Sequence, residues 1–207
     1  MTNFLKTLLF ITSLTWSQHL LPKVATDIDG NINKVDYYRV VGNKIILVKK
    51  EEYYSNGQKK IEINFKKKEK NGLLRGWDNL GKIEREELYN DDLRNGLCVY
   101  WFSNGQKKEE AIFKNGKKNG LFSGWYRNGN KRCEINYKND NKDGLSIYWY
   151  KNGNKKVEEN WSLGLPIGLW TEWHDTGKIY SEGVFRSGNL ISKVCWDKFG
   201  SKIQCSY

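Results

Sequence analysis

From residue 53 onward, apolar and polar residues alternate in short runs that glycine interrupts at regular intervals. The stretch Gly144 to Asn160, GLSIYWYKNGNKKVEEN, shows the motif: Leu145 to Trp149 alternate, Asn152-Gly153 supplies a turn, and a second polar–apolar run follows. Period-two alternation on both sides of Asn-Gly predicts a β-hairpin, with the glycine taking the positive φ that the turn requires. Neither arm carries a helical period. Each unit therefore reads as two short antiparallel strands, with a second glycine marking the loop to the next pair.

The hairpin recurs. Glycines stand at 57, 81, 105, 129, 153 and 177, each 24 residues from the last, and Gly200 arrives one residue early. Five residues after each of the first six is a glutamate (Glu62, Glu86, Glu110, Glu134, Glu158, Glu182), and eight after is an aromatic ring (Phe65, Tyr89, Phe113, Tyr137, Trp161, Phe185). The second glycines, Gly72, Gly96, Gly120, Gly144 and Gly168, each precede a leucine, and Trp77, Trp101, Trp125, Trp149, Trp173 and Trp196 stand four residues before the next turn glycine. A fixed period of this length is the mark of one supersecondary unit stacked on copies of itself. The expected fold is all-β: an elongated array of antiparallel hairpins forming a continuous twisted sheet.

The buried face depends on turn register, because a slip of one residue inverts every side chain. A three-residue loop such as Lys151-Asn152-Gly153 is expected to gather Leu145, Ile147, Trp149, Val157 and Trp161 on the core face and leave Lys156 and Glu158 outside. A two-residue loop would place the Glu column beside the Trp column. Five residues before the turns the column reads Gly76, Tyr100, Gly124, Tyr148 and Glu172; its alternation of glycine with tyrosine suggests partial cover on the second face as well. Lys60, Lys108, Arg132 and Lys156, two residues ahead of four of the glutamates, are expected to offset the repulsion along that column. The column is also a candidate site for a cation or cationic ligand.

The ends differ from the middle. Lys6, the apolar run Thr7 to Leu14 and Thr15-Trp16-Ser17 form an export leader with cleavage expected before Gln18. The apolar run is far shorter than the roughly 20 residues that span a bilayer. The domain reading is residues 1–17 leader, 18–52 N-terminal cap or degenerate repeat, and 53–207 repeat array with a closing hairpin. Asp27-Ile28-Asp29-Gly30-Asn31 lacks calcium-loop spacing and reads as a turn. Cys195 and Cys205 lie five residues either side of Gly200, so a hairpin there sets them nearly opposite, and outside the cytoplasm they are candidates for a disulfide. Cys98 and Cys133, in different repeats, read as packing residues.

These columns resemble the MORN repeat (membrane occupation and recognition nexus), in particular its bacterial variant associated with antitoxin components. Tyr180-Ser181-Glu182-Gly183-Val184-Phe185 and Lys114-Asn115-Gly116-Lys117-Lys118-Asn119-Gly120-Leu121 carry the likeness, which spans about residues 52 to 203. The glycine after Glu in the better known eukaryotic pattern is present only at Gly183. The resemblance implies an antiparallel β-ribbon used for binding.

Chemistry beyond binding finds little material. Of two histidines, His19 adjoins the leader and His174 occupies a variable column; no nucleophile elbow, zinc-protease motif or phosphate loop occurs. Six glutamates in equivalent settings lack the distinguishing environment that a general acid needs. The expectation is therefore a non-enzyme with no catalytic residues, no cofactor and no metal. Net charge is +11, from lysines such as Lys66, Lys67, Lys68 and Lys70, which suits anionic surfaces or simply a wet sheet face. The leading expectation is an exported scaffold, periplasmic, surface-bound or secreted, that binds a protein. The alternatives are a cell-wall or polysaccharide binder using Tyr54, Phe102, Tyr126 and Tyr150 as a stacking row, or a toxin-neutralising protein. An anionic lipid surface is a further possible partner, and export counts against nucleic acid.

Overall fold

The computed structural model describes residues 20–205, so the expected leader lies outside the described residues. Every regular element there is a β-strand, and every recorded pairing is antiparallel. Packing divides the chain into two units after Gly96.

In the first unit the strands are β1 (Leu21–Thr26), β2 (Ile32–Val41), β3 (Lys44–Tyr53), β4 (Lys59–Lys66), β5 (Glu69–Lys70), β6 (Gly72–Trp77) and β7 (Ile83–Asn90). β8 (Leu93–Trp101) runs across the division. The second unit continues with β9 (Lys107–Lys114), β10 (Lys117–Trp125), β11 (Lys131–Lys138), β12 (Asn141–Trp149), β13 (Lys155–Ser162), β14 (Leu165–Trp173), β15 (Ile179–Arg186), β16 (Asn189–Trp196) and β17 (Lys202–Ile203). From β9 to β17 each strand pairs with the next as a meander. Residues 21–53 form the same kind of hairpins, and Asp27 to Asn31 is a turn whose Asp27 carboxylate accepts the amides of Asp29 and Asn31.

Two kinds of turn alternate. At the periodic glycines the loop has three residues: the amide of Tyr150 donates to the carbonyl of Asn154 at 2.8 Å, that of Gly153 to Tyr150 at 2.9 Å, and Gly153 has φ +94°. At the opposite ends are two-residue turns with both φ values positive, as at Asn115 (+50°) and Gly116 (+81°), a form whose twist matches that of the flanking strands. The second glycines are not the loops between pairs. Gly120 and Gly144 lie inside β10 and β12, at positive φ beside register shifts; they shape bulges, and the chain reverses four or five residues earlier.

The face assignment is inverted from expectation. The three-residue loop is present, but a second bulge follows it. Trp149 pairs with Lys155 and Tyr148 with Val157, so Lys156 has no opposite number. The same skip occurs at Lys60, Glu84, Arg132 and Tyr180. Each skip turns the returning strand over, so Ile147 lies opposite Glu158 and the Glu column shares the Trp face. The core of the second unit lies on the other face, where Cys98, Ala111 and Phe113 cluster with Tyr100 and Phe122. Cys133, Ile135, Ser146, Ser181 and Cys195 are buried too, while Leu145 is 39% exposed. Small side chains at mid-strand leave room for aromatic rings at the strand ends. Cys195 and Cys205 form a disulfide with Cα atoms 5.4 Å apart, and Cys98 and Cys133 are buried thiols.

Candidate interaction face

Within the second unit, the Trp face carries three parallel stripes. Trp125, Trp149, Trp173 and Trp196, all half-buried, run near the three-residue turns. Glu110, Glu134, Glu158 and Glu182 run along the middle, and Leu97, Leu121, Leu145 and Leu169 run toward the other end. Along a strand the Glu stripe is two residues, about 7 Å, from each of the others, and the Trp and Leu stripes are four residues, about 13 Å, apart. Val99, Ser123 and Thr171 form a buried floor between them.

The cations that answer the glutamates are not the expected ones. Lys107 pairs with Glu110 at 2.7 Å, Lys131 with Glu134, and Lys155 with Glu158 at 2.7 Å; in the first unit Lys59 pairs with Glu62 at 2.8 Å. The ammonium groups also lie over indoles, Lys107 at 5.1 Å from the Trp125 centroid and Lys155 at 5.4 Å from Trp173. Lys60 and Lys156, bulged out of register, lie over Tyr54 and Tyr150 instead, and Arg132 reaches Glu109. Glu86 pairs with Arg75 at 2.7 Å. Half-exposed pairs of this kind each contribute at most about 1 kcal/mol, so the ladder orders the face more than it stabilises the fold.

The Tyr54, Phe102, Tyr126 and Tyr150 column sits beside the turns and links successive repeats. The phenol hydroxyls donate to the backbone carbonyls of Trp77, Trp149 and Trp173 at 2.8–2.9 Å, and the Arg127 guanidinium lies over Phe102 at 5.1 Å. His174 has the same place, its Nε2 3.2 Å from the Trp196 carbonyl oxygen. Turn asparagines repeat the strut: Asn104, Asn128 and Asn152 donate to the carbonyls of Arg127, Lys151 and Asp175.

The first unit holds one group that periodicity does not mark. The Glu51 carboxylate, 3% exposed, accepts hydrogen bonds from the hydroxyls of Tyr37 (2.8 Å) and Tyr53 (2.5 Å) and from the ammoniums of Lys49 (2.8 Å) and Lys59 (2.7 Å). Burial raises its pKa, but Lys49, Lys59 and the two phenols outweigh burial and hold it well below the carboxylate range. Burial likewise works against the Lys59 charge, and Glu51 and Glu62 overcome it, so the Lys59 pKa is raised. The same burial and the Glu51 charge push the Tyr53 phenol up. Every position around the carboxylate is filled by a donor of this chain, which makes it a structural anchor. Among the described residues no group of three or more His, Cys, Asp or Glu side chains is placed to hold a metal.

What this architecture offers is a set of periodic faces on an all-β hairpin repeat, with chemistry spread along columns and not gathered at one centre. The family model of the MORN repeat variant matches residues 49–67, 94–115, 118–139, 142–162 and 166–186, just over half of the sequence. The chain belongs to the MORN repeat variant family, whose repeats are generally modules for interaction with proteins or membranes and are generally non-catalytic. Among solved structures, a crystal structure of a Bacteroides fragilis protein of unknown function is similar at 9% identity, over 86% of this chain and 92% of that one, with a TM-score of 0.18. No curated protein is significantly similar.

Proposed function

We propose that this chain is an exported, non-catalytic interaction module that binds a protein partner through the Leu–Glu–Trp face of its second unit. The observation that carries the reading is the leucine stripe: Leu97, Leu121, Leu145 and Leu169 are 38–50% exposed, and Ile112 and Val184 on neighbouring strands are exposed beside them. A recurrent apolar row rimmed by charge is the composition of a protein-binding surface. Sugar stacking has less support, since the phenols of Tyr54, Tyr126 and Tyr150 are tied to backbone carbonyls and cations lie over the rings of Tyr54, Phe102 and Tyr150. Export rests on the leader pattern of residues 1–17.

The test is cross-linking capture from the native envelope with the wild-type chain and with Leu121→Asp/Leu145→Asp, whose altered side chains point away from the core. A specific protein held by the wild type and lost from the variant supports the reading. A partner held equally by both places the binding surface elsewhere. Retention on polysaccharide or anionic vesicles without any protein partner replaces it.

A further inference from the structure

Among the described residues, the final hairpin leaves an edge uncovered. β17 pairs with β16 only through Cys195 opposite Ile203 and Trp196 opposite Lys202. The remainder of β16, Asn189 to Val194, pairs with β15 on its inner side except at Ile191, which the ladder skips, and has no described strand on its outer side. The disulfide to Cys205 fixes the tail beside Cys195. Alternate backbone amides and carbonyls along such an edge are a template for another strand.

Two features distinguish this edge from that of β1. β1, the strand nearest the described N-terminal end, carries Pro22, which has no amide to donate to a ladder. β16 instead presents Leu190 and Ile191, 45% and 57% exposed. Ile191 stands nine residues before Gly200, the column that holds the bulge glycines Gly72, Gly96, Gly120, Gly144 and Gly168 in the earlier repeats. It does not share their positive φ. Like them it is bulged from the inner ladder, since Leu190 pairs with Phe185 and Ser192 with Val184; in β12 the strand bulged in this way still pairs without a break with its outer neighbour, from Gly144 opposite Trp161 to Tyr148 opposite Val157.

Where β17 ends, Lys193, Val194, Lys202, Ile203, Gln204 and Cys205 line a notch. Lys193 comes no nearer than 3.9 Å to a carboxylate, that of Glu172, and Lys202 is exposed. The open edge therefore runs from an apolar end at Leu190 and Ile191 to a cationic end at Lys193 and Lys202, with about 7 Å between Ile191 and Lys193 along the strand. We propose that the outer edge of β16 is a docking site for an extended peptide segment of a partner, which adds as a strand, sets apolar side chains beside Leu190 and Ile191, and places carboxylates in the notch. Main-chain hydrogen bonds supply affinity and the two ends supply direction and selectivity. The site is separate from the leucine stripe, and neither depends on the other.

The experiment uses the full, disulfide-bonded chain and a fluorescein-labelled octapeptide, Glu-Glu-Thr-Val-Thr-Val-Thr-Val, followed by fluorescence anisotropy. Saturable binding is expected. It should weaken about tenfold or more in K193E/K202E, with lysines replacing the probe glutamates, and with alternate probe amides N-methylated. Lys23→Glu on β1 should leave it unchanged. Equal binding of the N-methylated probe would show side-chain attraction without strand addition and overturn the proposal. So would equal binding by K193E/K202E, or the absence of saturable binding to the wild type. A chain that dimerises through β16 and stays dimeric at saturating probe, read by analytical ultracentrifugation, would make the occupant a second copy and likewise overturn it.

Discussion

Glu51 shows how much a single carboxylate can organise. Its two ammonium and two phenol partners come from three strands, β2, β3 and β4, so its charge pins their mutual register. Glu51→Gln leaves two lysines without their counter-charge, and removing one partner of a buried pair costs about 3 kcal/mol. The folded carboxyl titrates below its ordinary value of 4.5, so its contribution is full above that pH and fades as pH falls through the folded pKa. Urea denaturation from about pH 7 to about pH 3 should therefore show the gap between wild type and Glu51→Gln narrowing on the acid side. The phenol struts act more modestly. Tyr126→Phe and Tyr150→Phe each remove one hydroxyl-to-carbonyl bond and should lower unfolding free energy by about 1 kcal/mol, with the ring packing intact.

At the scale of the strand pair, the bulge glycines are unequal. Gly120 has φ +134°, and a Cβ there would stand 3.1 Å from Cβ of Ile112. Gly168 has φ +67°, and its nearest neighbour, Cβ of Asn160, would be 3.9 Å away. Gly120→Ala should therefore destabilise by about 2 kcal/mol and Gly168→Ala by about 1 kcal/mol, from backbone strain that a side chain cannot relieve. Thermal unfolding of the two variants side by side checks the order; an equal loss would mean that contact with the neighbouring strand is irrelevant. The difference arises because Ile112 and Asn160 occupy the same column, and the branched chain approaches the bulge more closely.

At the scale of the molecule, stability in a repeat array is a sum of units and the couplings between neighbours. The Cys195–Cys205 bridge closes a loop of sequence separation 10, which corresponds to roughly 3 kcal/mol of restricted unfolded-state freedom. Cys195→Ser/Cys205→Ser should speed hydrogen exchange in β15, β16 and β17, with β2 and β3 unchanged as the internal reference. Export belongs at this scale too. Mass spectrometry of the protein recovered from its native host should find Gln18 at the N-terminus, and a chain that still begins at Met1 would contradict the leader.

Spacing alone determined the repeat and the hairpins, because glycine is the residue that takes positive φ without strain, and its recurrence every 24 residues is visible in any register; the three-residue length of the turns was an expectation argued from a core face that the fold does not have. The cysteine pair flanking Gly200 was legible for the same reason: a known turn fixes which positions lie opposite. The burial of Ser146, Ser181 and Cys195 in place of the leucines was not. It follows from a second bulge, at Lys60, Arg132 and Lys156 among others, that has no residue signature because any side chain can occupy it. One backbone residue left out of the ladder exchanged the two faces, set Lys107 and Lys155 against the glutamates, and turned Leu121, Leu145 and Leu169 outward. Glu51 escaped notice because its donors lie on three strands, and only the folded register brings them to one carboxylate. Local turn chemistry is written residue by residue; the side on which a strand presents its residues depends on hydrogen bonds to its neighbours, and those exist only in the assembled sheet.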